Sequence, residues 1–285
     1  MRTLWRRFKG WFFRQLMRVA MVSIMAVLLF IVITIVIRGV SSLSLDMITQ
    51  TPKGGYYFGR EGGILNAIAG SFYLAAGASL LAFVLSLPVA FYLNVYSRSK
   101  RNVRSVRSAL DVMWGVPSII FGAFGFLVMM ALGMKVSLLA GIITVTLLIT
   151  PIMVRAMDEV MRTVPRDLYE AGFSLGATRW EFSVRVLLRK VYPGIITAFL
   201  LGFGRAIGDA ASVMFTAGFT DHIPNSLLEP AATLPLAIFY QLSSPIPEVR
   251  ERAYAAAIVL TVIILIISLA SRLLGGRLSK HSTTD

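Results

Sequence analysis

The stretch EAGFSLGATRWEFSVRVLL, residues 170–188, lies between two strongly apolar segments and carries charged side chains that a membrane span disfavours. Pro165, just upstream, suits the first turn of a helix. Gly176 predicts the end of that helix, because glycine readily adopts the left-handed conformation that terminates helices. Thr178 and Glu181 form a T-x-x-E capping box, which predicts the start of a second helix. We therefore expect two short helices joined by a turn, in water, between two membrane spans.

The composition of the whole chain indicates a membrane protein. Of its 285 residues 56% are hydrophobic, against about 45–50% in soluble domains, and the mean hydropathy is +0.76. The net charge is +14, but the basic residues cluster between apolar runs, which is typical of polytopic membrane proteins rather than nucleic-acid binders. Cysteine is absent, which excludes disulfides and thiolate chemistry. His222 and His281 have no metal-ligand spacing, so no metal site is expected.

The apolar residues fall into six stretches, each near the ~20 residues that a helix needs to cross a bilayer. The predicted spans are 19–37, 67–96, 109–132, 136–154, 191–217 and 253–274. We therefore predict an all-α polytopic membrane protein with six transmembrane helices. The first span follows a basic tail, 1–18, and is expected to be retained rather than cleaved as a signal peptide. The main transmembrane domain is expected at 66–274, and a tail follows at 275–285.

The distribution of Lys and Arg predicts the orientation of the chain. The tail 1–18 holds six of these residues, the loop 97–108 holds five and the segment 155–190 holds seven. The loops on the other side, 38–65 and 218–252, hold three and two. By the positive-inside rule both termini and the segment 155–190 are expected to be cytoplasmic. The apolar piece LPLAIFYQL in the second external loop is too short to span and is expected to be interfacial or re-entrant.

The predicted fifth span contains a charged pair, Arg205 and Asp209, four residues apart and therefore on one face of a continuous helix. An ionised residue at the bilayer centre costs at least ~2.5–3.5 kcal/mol, so such residues usually face a partner or a water-filled path. Gly204 and Gly208 frame Arg205 in a G-x-x-x-G spacing that allows close approach of another helix. The pair is either a structural ion pair that fixes helix rotation, or an anion site, because the guanidinium fork matches phosphate oxygens.

The stretch at 170–188 resembles the EAA motif of ATP-binding-cassette (ABC) importer permeases, E-A-A-x3-G-x9-I-x-L-P. The match is carried by Glu170, Ala171, Gly172, Gly176, Val186 and Leu188. Two positions depart from the pattern: Gly172 replaces an alanine, which costs a helix about 1 kcal/mol, and Arg189 replaces the proline. The resemblance implies a type I ABC importer permease fold. It also implies that this segment, with Glu170, Ala171, Gly172, Leu175 and Gly176, is the coupling helix that docks on a cytoplasmic ATPase.

Within that family, residues 205–219, RAIGDAASVMFTAGF, resemble a run found in PstA-type phosphate permeases, R-A-x-G-E-T-A-P-L-x-F-T-A. Asp209 stands where that run has glutamate, and Ser212 lies where it has its threonine and proline. The stretches LEPAATLPLAIF (228–239) and REGGILNAIAGSF (60–72) resemble that family's outer loop and its entry to the second span. The resemblance covers most of residues 38–274 and implies a bacterial or archaeal cytoplasmic membrane protein.

The same resemblance implies the function and the partners. The chain would be the non-enzymatic permease subunit of an ATP-driven phosphate importer, with Arg205 and Asp209 in the substrate path. It would pair with a PstC-type permease, two copies of a PstB-type ATPase and a PstS-type phosphate-binding protein. The sequence has no G-x-x-x-x-G-K-[ST] loop, so ATP-Mg is expected on the partner ATPase and no cofactor on this chain.

Other functions are left open by the residues themselves. Another oxyanion, such as molybdate, tungstate or sulfate, would suit the same arginine. A stand-alone secondary transporter would use the charged pair for ion coupling, but it predicts inverted repeats that the sequence does not display. A membrane scaffold or sensor without transport would leave the intramembrane arginine unexplained beyond packing.

A few further residues carry local expectations. Asp111 and Asn66 are each expected near the N-terminus of a span as helix caps. The aromatic set Tyr56, Tyr57 and Phe58 is expected at the outer membrane–water boundary.

Overall fold

The computed structural model describes residues 2–53 and 61–281, with side chains described over 9–53 and 62–273. Within these ranges the secondary structure is helical, apart from one two-residue antiparallel ladder in which β1 (Pro52–Lys53) pairs with β2 (Glu61–Gly62). The predicted boundary set Tyr56, Tyr57 and Phe58 lies outside the described residues.

The helices follow one another with short connections. In chain order they are α1 (Arg2–Gly39), α2 (Leu45–Thr49), α3 (Leu65–Phe91), α4 (Lys100–Gly115), α5 (Ser118–Ala131), α6 (Leu138–Arg162), α7 (Arg166–Ser174), α8 (Arg179–Glu181), α9 (Leu188–Ile207), α10 (Leu234–Leu242) and α11 (Pro247–His281). A π-helical turn at Tyr92–Tyr96 extends α3, and another at Phe182–Leu187 joins α8 to α9 without a break. A short 3-10 turn, Val40–Ser42, follows α1.

Among the described residues, five helical stretches are long and apolar enough to cross a membrane. They are Lys9–Ser42, Leu65–Tyr96, Leu138–Arg162, Arg179–Ile207 and Pro247–Leu273. A sixth crossing exists only as the bent pair of α4 and α5. The chain is therefore an all-α, multi-pass membrane protein in which one of the six predicted spans is broken.

The broken span corresponds to the helix predicted at 109–132, which contains Pro117. Its two halves, α4 and α5, meet at an angle of 98°. Val116 between them is extended, with φ −73° and ψ 128°, because the ring of Pro117 disfavours helical geometry at the preceding residue. α4 also begins much earlier than predicted, at an N-cap formed by Ser99, whose hydroxyl accepts a hydrogen bond from the backbone N–H of Asn102.

The predicted fifth span, 191–217, is helical only as far as Ile207. Residues 208–218 form turns, and much of this irregular segment is buried. Its carbonyls have partners elsewhere in the protein: Thr216 accepts from the N–H of Ser137 at 2.9 Å, and Ala217 accepts from the N–H of Ala231 at 2.9 Å. Non-helical backbone at membrane depth is tolerated where protein covers it in this way.

The centre of the bundle is formed by α3, α6 and α9. α3 contributes small buried side chains, which let the backbones approach: the Thr146 hydroxyl on α6 lies 3.3 Å from the Ala78 carbonyl oxygen on α3. α6 contributes more of the large fully buried side chains than any other helix: Val145, Ile149, Met153, Met157 and Met161. α11 packs on α9, and α1 packs on α11, with the apolar window of α1 entirely exposed on the chain. α1 is thus the peripheral helix of the subunit.

The apolar piece of the loop 218–252 forms α10, which is too short to span, as predicted, and is largely buried. The backbone N–H of Leu234 at its start donates to the Ser71 hydroxyl on α3 at 2.7 Å. Asn66 also ties the loop to α3, since its Nδ2 donates to the Thr220 carbonyl at 2.6 Å. The prediction that Asn66 caps its helix was wrong: Ile64 occupies the N-cap position, and the Asn66 amide is engaged by tertiary structure instead.

Candidate coupling segment and intramembrane charge site

The segment that follows α6 folds as a short helix, α7, then a turn and the start of a second helix, as predicted. The second helix is not short, however, because it runs on without a break from Arg179 to Ile207. Gly176 ends the first helix with φ +80°, the left-handed conformation expected of it. Its N–H donates to the Phe173 carbonyl at 3.0 Å. Thr178 and Glu181 form the complete capping box, with each side chain accepting from the other residue's backbone N–H. Pro165 stands one position before the first turn, at the N-cap of α7.

The first of these helices is anchored on one aromatic ring. Phe182 is fully buried, and its ring lies 4.7 Å from that of Tyr169 and 5.0 Å from that of Phe173, centroid to centroid. Burial raises the pKa of the Tyr169 phenol above its ordinary value. Gly172 faces the same ring, and a Cβ at this position would lie 2.7 Å from Phe182 Cδ2. Gly172, which departs from the E-A-A pattern, therefore leaves free the space that the Phe182 ring fills.

The opposite face of the coupling segment is exposed. Glu170 and Ala171 of α7 are both exposed, and the Leu175 side chain at its C-cap is 89% exposed. Trp180, in the first turn of the second helix, is also exposed. Large apolar side chains held outward on a rigid, capped turn form a surface suited to protein docking.

The intramembrane pair lies where α9 ends. Arg205 is in the last turn of α9, and Asp209 lies just beyond the C-cap Gly208. The two residues are therefore not on one face of a continuous helix, as predicted, yet they still meet: Arg205 Nη2 lies 3.4 Å from Asp209 Oδ1. The other carboxylate oxygen accepts hydrogen bonds from the backbone N–H and the hydroxyl of Ser212. Asp209 thus fixes the irregular segment and contacts the arginine only loosely.

Exposure distinguishes the two members of this pair. The Asp209 side chain is 3% exposed, whereas that of Arg205 is 46% exposed on the isolated chain. A charge-assisted N–H···O bond is normally about 2.7–2.9 Å long, so the 3.4 Å contact leaves the guanidinium fork largely available. Because an arginine is not left in hydrocarbon without a partner, its open side requires water, a ligand or another protein chain.

The glycines on either side of Arg205 do not provide the close helix contact that their spacing predicted. A Cβ at Gly204 would meet only Ile267 of α11, at 3.9 Å, and one at Gly208 would lie 3.6 Å from Ile264. Both are ordinary van der Waals distances. α9 and α11 therefore pack at normal separation here.

A second charged cluster, which sequence reasoning missed, lies where α4 meets α6. Asp158 of α6 is fully buried and accepts two bonds from Arg107, at 2.9 Å from Nε and 2.8 Å from Nη2. Asn94 donates to the same carboxylate at 2.9 Å. Asp111 lies within α4 and pairs with Arg155 at 2.9 Å, so the prediction that it caps a helix was wrong. The only sequence signal for the cluster was the acidic pair Asp158–Glu159 after a long apolar run, just beyond Arg155.

The two charged clusters differ in character. The Arg107–Asp158 pair is bidentate, its N···O distances are short, and the Asp158 side chain is fully buried. This is the geometry of a structural clamp. The Arg205–Asp209 pair is single, long and half-open. Among the described residues, no three His, Asp or Glu side chains lie close enough together to hold a metal ion.

A helical, multi-pass chain with an exposed, charged segment between two spans and a half-open arginine at the end of a third is compatible with a membrane permease. The chain belongs to the family of binding-protein-dependent transport system inner membrane components, whose family model matches residues 82–280. It is 32% identical over 247 residues to the phosphate transport system permease protein PstA of Haemophilus influenzae, covering 86% of each chain. It is 31% identical over 283 residues to the PstA protein of Yersinia pestis, covering 97% of this chain and 95% of that one.

The fold is that of ABC importer permeases. The structure of the MetNI methionine ABC transporter matches with a TM-score of 0.60, at 19% identity, over 75% of this chain and 95% of the other. This likeness confirms the predicted type I importer permease architecture for the bundle.

Proposed function

We propose that the chain is the transmembrane permease subunit of an ATP-driven phosphate importer. The observation that carries the proposal is the relationship at about one-third identity, along most of the chain, to permeases named for phosphate transport. The half-open Arg205 supplies a chemical reason for an anionic substrate. Phosphate is negatively charged before it enters the membrane, so a fixed cation lowers its cost of desolvation.

Arg205 is proposed to bind substrate oxygens in the translocation path. Its planar fork offers five N–H donors and stays charged at any physiological pH. Asp209 and the Ser212 hydroxyl hold the backbone beyond α9, and the acid lies close enough to weaken anion binding at the guanidinium. A site that binds an anion moderately releases it on the other side of the membrane, whereas an unopposed buried arginine would retain it.

The segment with Glu170, Ala171, Gly172, Leu175 and Gly176 is proposed to dock in a cytoplasmic ATPase. Its exposed apolar side chains and its rigid aromatic anchor support this role. In the proposed assembly a PstC-type permease completes the path, and two PstB-type ATPases carry ATP-Mg. A PstS-type binding protein delivers phosphate from outside. Hydrolysis belongs to the ATPase, so this chain would not itself be an enzyme.

The proposed location is the cytoplasmic membrane of a prokaryote, with both termini inside. The support is the concentration of Lys and Arg in 1–18, 97–108 and 155–190, which the positive-inside rule assigns to the cytoplasm. This orientation places α7 beside the cytoplasmic ATPase and α10 on the outer face.

The test is uptake of labelled phosphate by vesicles that contain the co-expressed complex and internal ATP. Wild type is compared with Arg205→Ala, Arg205→Lys and a control, Arg250→Ala, which removes an exposed charge near the start of α11. We expect Arg205→Ala to abolish uptake and Arg205→Lys to reduce it, because lysine keeps the charge and loses the fork. Co-purification of the ATPase verifies assembly of every variant.

Two results would contradict the proposal in different ways. Uptake that survives Arg205→Ala in an intact complex would make the pair structural. A wild-type complex that binds its ATPase but accumulates molybdate, tungstate or sulfate instead of phosphate would keep the importer and replace the substrate.

A further inference from the structure

A basic cavity lies between α4 and α6, apart from Arg205 and from the coupling segment. Its volume is about 390 Å³. Six of the residues that line it belong to α4, and the seventh is Arg155 of α6. The α4 residues are Lys100, Val103, Arg104, Arg107, Ser108 and Asp111. Four of these seven side chains are cationic and one is anionic, so the cavity has a strong positive potential.

Two of the four cations have no counter-charge. Arg107 and Arg155 are paired with Asp158 and Asp111. Lys100 and Arg104 are one helical turn apart and make no ion pair with any residue that the structure describes. Like charges at this spacing repel each other and destabilise an isolated helix. An anion between them would relieve that repulsion, and the Ser108 hydroxyl one turn further on is an additional donor.

The cavity is next to the end of the predicted fourth span. The apolar side of α4, with Val103, Val106 and Leu110, packs in one cluster with Leu93 and with Val154, the last residue of that span. The next residue of α6, Arg155, already lines the cavity. α4 meets the apolar helix α5 at 98°, so an α5 that enters the membrane would leave α4 close to the membrane plane. Trp114 near its end is exposed, as is common for tryptophan at the level of the headgroups.

We propose that this cavity binds a phosphate group with ionised oxygens, held chiefly by Lys100 and Arg104. The group would be the headgroup phosphate of an anionic lipid in the adjoining leaflet, or inorganic phosphate from the water phase. The binding chemistry is the same for both, because ammonium and guanidinium donors accept any phosphate oxyanion. The proposal does not rest on the transport function: it concerns equilibrium binding at a place distant in sequence from Arg205 and requires no ATP.

The experiment compares two double variants of equal charge. Lys100→Gln/Arg104→Gln removes the two unpaired cations of the cavity. Arg98→Gln/Arg101→Gln removes two exposed cations of the same segment that do not line it. The purified full chain, in complex with its co-expressed partners, is titrated with phosphatidylglycerol or phosphatidylcholine, and bound lipid is counted by native mass spectrometry. In a second arm, binding of labelled inorganic phosphate is measured in nanodiscs of phosphatidylcholine alone.

Each outcome has a defined meaning. If the cavity variant binds phosphatidylglycerol roughly 30-fold more weakly than the control variant, with phosphatidylcholine unaffected, the ligand is a lipid headgroup. If only inorganic phosphate binding is lost, the ligand is the free anion. If both double variants bind like wild type, or both lose binding equally, the cavity is not a phosphate site and the proposal is overturned.

Discussion

Restoring the family's alanine at Gly172 is expected to weaken the coupling segment rather than strengthen it. A Cβ at this position would lie 2.7 and 2.9 Å from two ring atoms of Phe182, where ordinary contact begins near 3.4 Å. The ring is fully buried and flanked by Tyr169 and Phe173, so it has little room to move. One atom must therefore shift by about 0.7 Å, in a packed interior where compression is costly.

The magnitude follows from two opposing effects. Overpacking of a well-filled site costs typically about 1–3 kcal/mol. Alanine gains back about 1 kcal/mol over glycine in helix propensity. For Gly172→Ala we expect a net loss of about 1 kcal/mol in the docking of α7, which corresponds to roughly fivefold more frequent opening.

Hydrogen–deuterium exchange of the α7 amides in the purified complex measures that opening directly. Exchange over Arg166–Ser174 is expected to accelerate in Gly172→Ala, whereas exchange in α6 stays unchanged. In a Phe182→Leu background, where the ring is gone, the same alanine should slow exchange because only its propensity gain remains. Slower exchange in Gly172→Ala with Phe182 intact would refute the steric account of this glycine.

Two further pairs of substitutions, each a test with its control, examine the packing. Asp158→Asn leaves the guanidinium of Arg107 without its carboxylate. Because the Arg107 side chain is 24% exposed, we expect the free energy of unfolding to fall by about 2–3 kcal/mol. Asp111→Asn, at a half-exposed acid, should lower it by less than about 1 kcal/mol, and equal losses in the two variants would contradict the clamp. Gly70→Ala places a Cβ 2.0 Å from the backbone carbonyl oxygen of Ala232, in the loop 218–252. It should sharply reduce the yield of folded protein, whereas Gly204→Ala, which meets only ordinary contacts, should not. A normal melting temperature for Gly70→Ala would show that the loop adjusts freely.

Local signals in the sequence predicted well where one helix ends, at Gly176, and where the next begins, at Thr178. The turn depends on Gly176 and on the Thr178–Glu181 box, and both act over a few residues. Hydropathy likewise predicted the membrane class and most spans, because bilayer crossing depends on composition over ~20 residues. Proline is tolerated inside membrane helices, so Pro117 alone does not show that the span 109–132 breaks with 98° between its halves.

Features that depend on tertiary structure were not predictable from a single sequence. Asp158 and Arg107 are 51 residues apart, and nothing in either local sequence marks the other as its partner. The spacing of Arg205 and Asp209 correctly suggested that they meet, but for the wrong reason: they meet across a helix end. The role of Gly172 could not be deduced either, since its partner ring belongs to the next helix.

The helical path from Arg179 to Ile207 runs unbroken for 29 residues. At 1.5 Å per residue it is a rod of about 43 Å, with the capping box at one end and Arg205 near the other. A rod transmits rotation and not stretch: a tilt of about 10° around its middle moves each end by roughly 4 Å, in opposite directions. Force applied at the coupling segment would therefore reach the arginine as a sideways swing, without any unwinding between them.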